Sequence, residues 1–402
     1  MPGLMHFVSL QGPAGVELHY SEFVQRAVVR YPEWTQSWLN PKKTIHPSLQ
    51  ADLSTSHTHT ILGKYRWGVK LPSKPEWIRS WHCGRALSHA KTDILMIWNR
   101  TARAHFVLDA MGEENCIHWE HGSAWHPGRE AERERYFNRI PLAIVNSNAS
   151  ARVMKLLWGY SGETRICLNA LRPSLTPREP IQKQHPSNRA IRLGVAARLM
   201  PVKGIALVLH ATAMLKQESA DVELHIAGAG VERERLRALA KNLGIASVTQ
   251  FHGAVRDMEH FYRSIDCLVH APLTEAFGLV AIEAGVHGCP AIVAAVDGLP
   301  EAVKDEVSGH YITPTLALTE YAELAGASDG IPECVYDPVE DVLCTPKAAD
   351  PTALAEAVRK LFSDAESYER ISRSASEHVL EERRFDRHVD QVMNVVNGVL
   401  AR

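Results

Sequence analysis

No uninterrupted apolar run of about 18 residues occurs in this sequence, so no segment is expected to cross a bilayer. Cysteine is sparse: seven residues, scattered and odd in number, with no C-x-x-C pair. That pattern excludes a disulfide framework and predicts reduced thiols in the cytoplasm. The opening segment Met5-His6-Phe7-Val8-Ser9-Leu10 is too short for the apolar core of a secretion signal and reads as a strand. Internal repeats and low-complexity tracts are missing. No Asp-x-Asp pair is present to hold a divalent metal, so neither metal nor other cofactor is expected. No recognised nucleic-acid module accompanies the basic residues, which argues against nucleic acid as a partner.

What is present is an ordinary globular composition, 45% hydrophobic and 22% charged, over a length of 402 residues that favours two cores. The net charge of −2 hides an asymmetry. Residues 1–176 carry 21 Lys+Arg against 14 Asp+Glu, and the remainder carries 23 against 32. All nine tryptophans, Trp34 to Trp158, lie in the first part. Both parts alternate short apolar runs with amphipathic segments, the pattern of parallel sheets flanked by helices. In the first, strands are expected at 5–10, 93–98, 115–119, 141–146 and 164–168; residues 40–90 give no clear pattern. In the second, strands are expected at 191–199, 222–227, 248–251, 267–270 and 291–293. The expected organisation is a first domain over 1–175, a proline-containing linker over 176–188, a second domain over 189–384, and a helix over 385–402. Two consecutive open α/β sheets put a ligand at the carboxyl ends of the strands, in a cleft between the domains.

The strongest chemical constellation is Thr274-Glu275-Ala276-Phe277-Gly278-Leu279, running into a helix that holds Glu283. A polar, glycine-bearing loop that follows a strand and opens into a helix offers free N–H groups to an anion such as a diphosphate. One glutamate can then face sugar hydroxyls and the other a ribose diol. Next comes Arg198-Leu199-Met200-Pro201-Val202-Lys203-Gly204, where two cations at a strand tip can converge on one phosphate. Without a metal, such cations and helix N–H groups must stabilise a departing diphosphate. Gly12-Pro13-Ala14-Gly15 follows the first strand but is not a G-x-G-x-x-G loop. His121 ends another strand. Cys116, His118 and His121 are close in sequence, but 121 falls beyond the strand whose face the other two share, which argues against a metal site.

In this order and spacing the residues resemble glycosyltransferase family 4, a retaining family with the GT-B fold. The resemblance is best over 190–312. It includes Arg198 and Lys203, Gly228 and Gly230, Phe251-His252-Gly253, Glu275 with Glu283, and Asp297-Gly298-Leu299-Pro300-Glu301, similar to the family's GG-x-PE turn. It implies an α/β protein of two Rossmann-like domains facing across a cleft, with the C-terminal helix returning to the first domain. It implies a nucleotide-diphosphate sugar donor of UDP or GDP type. Glu283 would bind the ribose, and Glu275 with the backbone of Phe277, Gly278 and Leu279 would hold the donor sugar. Arg198 and Lys203 would neutralise the diphosphate, and the backbone near Val255 would hold the base. In the first domain Gly15 resembles part of the family's glycine loop, and His121 its histidine against the donor sugar. Asn146-Ser147 and Asn169 resemble two further family positions. The sequence departs from the pattern at 314–341, an insertion where the family passes quickly from strand to helix, and at 12–15, which lacks an adjacent glycine pair.

The resemblance also implies a role in polysaccharide or lipopolysaccharide synthesis, with a saccharide, lipid-linked or small-molecule acceptor. Residues 64–103 hold nine Lys/Arg, two acids and Trp67, Trp77, Trp81 and Trp98. This stretch suits an anionic saccharide, a lipid-linked acceptor or the inner face of an anionic membrane. The alternative is a solvated helix face with its tryptophans in the core. Two rival functions share the architecture: a nucleotide-sugar epimerase or hydrolase, and a non-catalytic carbohydrate-binding subunit.

Overall fold

The computed structural model describes residues 1–11, 15–41, 44–47, 49, 59–62, 64–67, 69–72, 74–99, 101–102, 104–125 and 128–402. The chain forms two compact units, Met1–Leu168 with Phe385–Arg402, and Asn169–Arg384.

In the first unit the strands are β1 (Gly3–Phe7), β2 (Thr35–Asn40), β3 (His59–Leu62), the short antiparallel ribbon β4 (Tyr65–Arg66) and β5 (Val69–Lys70), then β6 (Ile94–Trp98), β7 (Cys116–Glu120), β8 (Leu142–Val145) and β9 (Glu163–Ile166). The helices are α1 (Gly15–Arg30), α2 (Trp77–His89), α3 (His105–Met111), α4 (Glu130–Phe137) and α5 (Asn148–Trp158). Seven strands form one parallel sheet in the order β3-β2-β1-β6-β7-β8-β9. The chain therefore winds outward from β1, then returns to β6 on its other side, which makes the β1/β6 junction the topological switch point. Met5, Leu95, Ile117 and Ile144 are fully buried in successive strands of this sheet. The C-terminal helix (Phe385–Leu400) belongs to this unit. It buries Val389, Val392, Met393 and Val396 and is pinned by Arg30 and Tyr31 to Asp390 and by Trp34 to Asn397.

The second unit repeats the logic. Its strands are β10 (Ile191–Ala196), β11 (Val222–Ala227), β12 (Thr249–Gly253), β13 (Cys267–His270), β14 (Ala291–Ala294) and β15 (Gly309–Ile312), all parallel, in the order β12-β11-β10-β13-β14-β15. Its helices begin with α6 (Ile205–Gln217), α7 (Arg233–Asn242), α8 (Met258–Ser264) and α9 (Leu279–Val286). The switch point lies between β10 and β13, and the loops after those two strands carry the residues singled out in the sequence.

Two features differ from the expected organisation. Residues 169–188 pack on the second unit: Leu171 N donates to Arg383 O, and Ile181 N and Lys183 N donate to Ser376 and Ser372. These two serines lie on α12 (Ala365–Glu382), which follows α11 (Pro351–Leu361). The stretch 314–341 is not an irregular excursion. It forms α10 (Leu318–Ala325) and leads into the antiparallel pair β16 (Val335–Asp337) and β17 (Val342–Cys344). Tyr321 and Ala325, one turn apart, bury the inner face of α10, and the Tyr321 hydroxyl donates to the carbonyl of Pro201.

Candidate functional site

The loop after β10 and the loop after β13 meet at the switch point of the second unit. Lys203 Nζ lies 2.7 Å from Glu275 Oε2, and His270 Nε2, at the end of β13, lies 3.4 Å from the same oxygen. Gly204 allows the approach. Its φ is +63°, and a Cβ there would stand 1.9 Å from the carbonyl oxygen of Ala271. Burial alone would raise the Glu275 carboxyl. The Lys203 ammonium and the hydrogen-bonding His270 outweigh that and hold it well below the usual carboxylate range. Burial likewise depresses His270, so its imidazole is neutral at pH 7. Arg198 is exposed on the same loop; its carbonyl accepts from Met200 N, and among the described residues no hydrogen-bond or ion-pair partner is found for its guanidinium.

Gly278 caps α9 at φ +94°, where a Cβ would overlap Leu299 Cδ1 at 2.2 Å. The Phe277 ring is buried with Arg383 5.6 Å above it, so its side chain belongs to the core. Leu279 opens α9; Ala281 N donates to Gly278 O, and the N–H groups of Leu279 and Val280 precede the first carbonyl the helix could offer them. Glu283 sits one turn further in, buried, with Arg172 donating to Oε1 at 2.9 Å and the Tyr262 hydroxyl to Oε2 at 2.9 Å. Val255 follows β12 in a half-buried turn.

Sequence reasoning missed His270, Arg172 and Tyr262, and it passed over the side chain of Asp297. Buried Asp297 has φ +51° where the resembled pattern carries glycine. Its Oδ2 accepts from Thr274 Oγ1 at 2.6 Å and Glu275 N at 2.9 Å, and its Oδ1 accepts from Tyr336 N at 2.8 Å. Asp297 thus ties the Glu275 loop to β16. The available signal was an acid in a glycine position of the turn.

In the first unit, Gly12, Pro13 and Ala14 lie outside the described residues. Gly15 starts α1, exposed, with open space where a Cβ would stand. His121 follows β7. Its N–H donates to Asn99 Oδ1, and its ring stacks on Trp98 at 5.3 Å. Burial pulls its pKa down to about 3. Cys116 and His118 are engaged separately, with Gly112 O and with Glu120 and Tyr136. Among the described residues no group of three or more His, Cys, Asp or Glu is arranged to hold a metal ion. Asn146 and Ser147 follow β8, where Ser147 caps α5 by accepting from Ser150 N. Asn169 begins the second unit. A cavity of about 540 Å³ opens at the carboxyl edge of β1 and β6, between Ser9, Asn99, Thr101, Glu17, Arg129 and Arg133. In the 64–103 stretch, Gly68, Ser73, Arg100 and Arg103 lie outside the described residues. Trp98 is core, whereas Trp67, Trp77 and Trp81 are exposed. No helix among the described residues is long and apolar enough to cross a membrane.

Residues 177–325 match the family described as glycosyl transferases group 1. Over 146 residues the chain is 37% identical to the D-inositol 3-phosphate glycosyltransferase of Saccharomonospora viridis, covering 33% of each protein. Over 170 residues it is 35% identical to the enzyme of that name from Streptomyces coelicolor, covering 37% of each. The matches thus span about a third of the length of these relatives. Among solved structures, a glycosyltransferase from Rickettsia africae superposes with a TM-score of 0.73 at 15% identity, over 99% of this chain and 98% of that one. Anabaena HepE in complex with UDP and glucose superposes with a TM-score of 0.70 at 16% identity, over 99% and 100%. The chain therefore has the α/β GT-B fold of two Rossmann-like domains, and its second domain carries the group 1 glycosyl transferase sequence pattern.

Proposed function

We propose that this chain is a retaining glycosyltransferase of family 4. It moves a hexosyl or related group from a UDP- or GDP-type sugar to a hydroxyl of a saccharide, lipid-linked or small-molecule acceptor, without a metal ion. The observation that carries the reading is the 2.7 Å Lys203–Glu275 contact at the switch point, beside the open start of α9. A strand-end crevice with a cation, a carboxylate held ionised and free helix N–H groups suits a diphosphate joined to a polyhydroxylated ring. The UDP and glucose in the HepE complex support a donor of that class. Seven unpaired cysteines support a reducing, cytoplasmic setting.

In this reading Arg198 and Lys203 face the diphosphate. Glu275 and the backbone of Phe277, Gly278 and Leu279 hold the sugar. Glu283 takes the ribose, and the turn at Val255 the base. Gly15 and His121 are the contributions of the first unit, whose 540 Å³ cavity takes the acceptor. The acceptor oxygen forms a bond to the anomeric carbon as the bond from that carbon to the β-phosphate oxygen breaks. The departing phosphate oxygen receives the acceptor proton on the same face, which preserves configuration. The protein supplies positioning and charge stabilisation.

The experiment is thermal stability with UDP, GDP and ADP, each in EDTA. Stabilisation by UDP or GDP is expected, since a ligand that binds the native state raises the melting point. No stabilisation by any of the three removes the metal-free donor site. Donor consumed without an acceptor, yielding free or isomerised sugar, would instead favour the hydrolase or epimerase reading.

A further inference from the structure

Three of the four tryptophans in the basic stretch face solvent: Trp67 is 89% exposed, Trp77 66% and Trp81 47%. Val69 beside them is also exposed. Folding ordinarily removes such large rings from water, so three within fifteen residues call for a partner. They form one patch. Trp77 and Trp81 are four apart on α2 and share a face. The Arg66 guanidinium, on the β4–β5 ribbon, lies 4.4 Å from the Trp67 ring and 5.6 Å from the Trp81 ring, joining ribbon to helix. Arg85 covers Trp81 at 5.2 Å.

The same ribbon and helix wall a cavity of about 420 Å³ lined by Lys64, Lys70, Lys74, Arg79 and Arg129, against the carboxylates Glu76 and Glu132. Glu132 is already paired with Arg129 at 2.8 Å. Lys70 and Lys74 are exposed at the mouth, and Arg79 is fixed by hydrogen bonds to Leu71 O. Gathering five cations around one hollow favours an anionic occupant. Amphipathic rings beside lysines match the headgroup layer of an anionic bilayer, where tryptophan seats at the interface and each cation adds attraction.

We propose that this face of the first unit docks on an anionic lipid surface, with Trp67, Trp77 and Trp81 at the interface and a phosphate headgroup in the lysine-lined cavity. The proposal deepens the acceptor side of the glycosyl transfer reading, favouring a lipid-borne acceptor, and rests on that reading only for what the surface is used for.

The test is co-sedimentation of the full chain with vesicles of phosphatidylcholine alone and of phosphatidylcholine with about a third phosphatidylglycerol. Binding to the mixed vesicles alone is expected. Lys70→Ala with Lys74→Ala should weaken it roughly 30-fold, at about fivefold per cation near the surface. Trp67→Ala with Trp77→Ala should also weaken it, by about tenfold or more. All four positions are exposed, so the melting temperature should stay unchanged and confirm folding. Failure to bind the mixed vesicles, equal binding to both kinds, or binding that both double variants retain overturns the proposal. UDP stabilisation read on the same samples separates the two readings. Lysine-dependent vesicle binding without stabilisation by UDP, GDP or ADP keeps the surface and removes the donor site, and the reverse removes the surface alone.

Discussion

Glu275 Oε2 is shared between Lys203 and His270, so the charge of this carboxylate is set before any ligand arrives. Glu275→Gln keeps the shape and removes the charge, while Lys203→Ala leaves a largely enclosed carboxylate without its cation. Each substitution should lower turnover by about 100-fold or more, the scale seen when one preorganised electrostatic contact is lost. Circular dichroism should show an intact fold, and near-normal turnover in either folded variant would remove its assigned role. Asp297 permits a sharper experiment, because its two oxygens serve different segments. Asn tolerates the left-handed backbone but offers one acceptor oxygen, so Asp297→Asn must abandon either Tyr336 N–H or the Thr274–Glu275 side. A buried donor left without a partner costs about 2 kcal/mol, which lowers Tm by about 4–8 °C in a domain of this size. Asp297→Gly, which frees the backbone but gives up both ends, should lose more. A smaller loss for the glycine variant would mean that backbone freedom outweighs the bridge.

At the scale of elements, the second unit was legible because its strands are continuous apolar runs closed by glycine-bearing loops. The strands 222–227 and 267–270 fall where the periodicity puts them. β2 was not legible. Thr35-Gln36-Ser37-Trp38-Leu39-Asn40 is largely polar yet almost wholly buried, and Gln36 Oε1 pairs across the sheet with His6 Nε2 at 2.8 Å. Such pairing depends on a neighbour 30 residues away, which no local pattern records. The same limit hid the role of Asp297, whose partners come from other elements, whereas Glu275 and Lys203 stood out by motif; His270, five residues before Glu275, was passed over as a lone histidine ending an apolar strand. The insertion was visible as extra length, but its helix and strand pair were not. The C-terminal helix carries a testable pH dependence. His388 Nε2 meets His19 Nε2 at 2.9 Å, and both rings are buried among Trp98, Trp119 and His121. Burial holds His388 down to about 4 and His19 well below its usual value. In the unfolded chain such rings titrate near about 6.5, so the unfolded state takes up protons that the native state refuses. Stability is then full above about pH 7 and is lost as pH falls from about 6.5 toward 4, on the order of 2 kcal/mol at pH 5 for His388 alone. Thermal melts at pH 7.5 and 5 should show the loss, and His388→Phe should reduce it, with His19 and His121 supplying the remainder. A wild-type Tm that does not fall at pH 5 would contradict this account.

For the molecule as a whole, the two Rossmann-like units differ in the side chains they place at their switch points. Their sheets share a topology, so topology does not say which switch point receives the nucleotide. The side chains do. The second unit gathers Arg198, Lys203, Glu275 and Glu283 at the carboxyl ends of β10 and β13 and inside α9. The first unit surrounds its own switch point with Trp98, Asn99, Thr101 and Glu17 beside Arg129 and Arg133. A nucleotide held by N–H groups at the start of α9 slows exchange of those amides, because an occupied donor is withdrawn from water. Hydrogen exchange with saturating UDP or GDP should therefore show its largest protection in peptides spanning 198–204, 253–257 and 274–283, reduced in Lys203→Ala. If the largest protection falls instead on 97–102 and the start of α1, the donor belongs to the first unit. The Lys203–Glu275 pair would then be an ion pair that holds two loops together and no more.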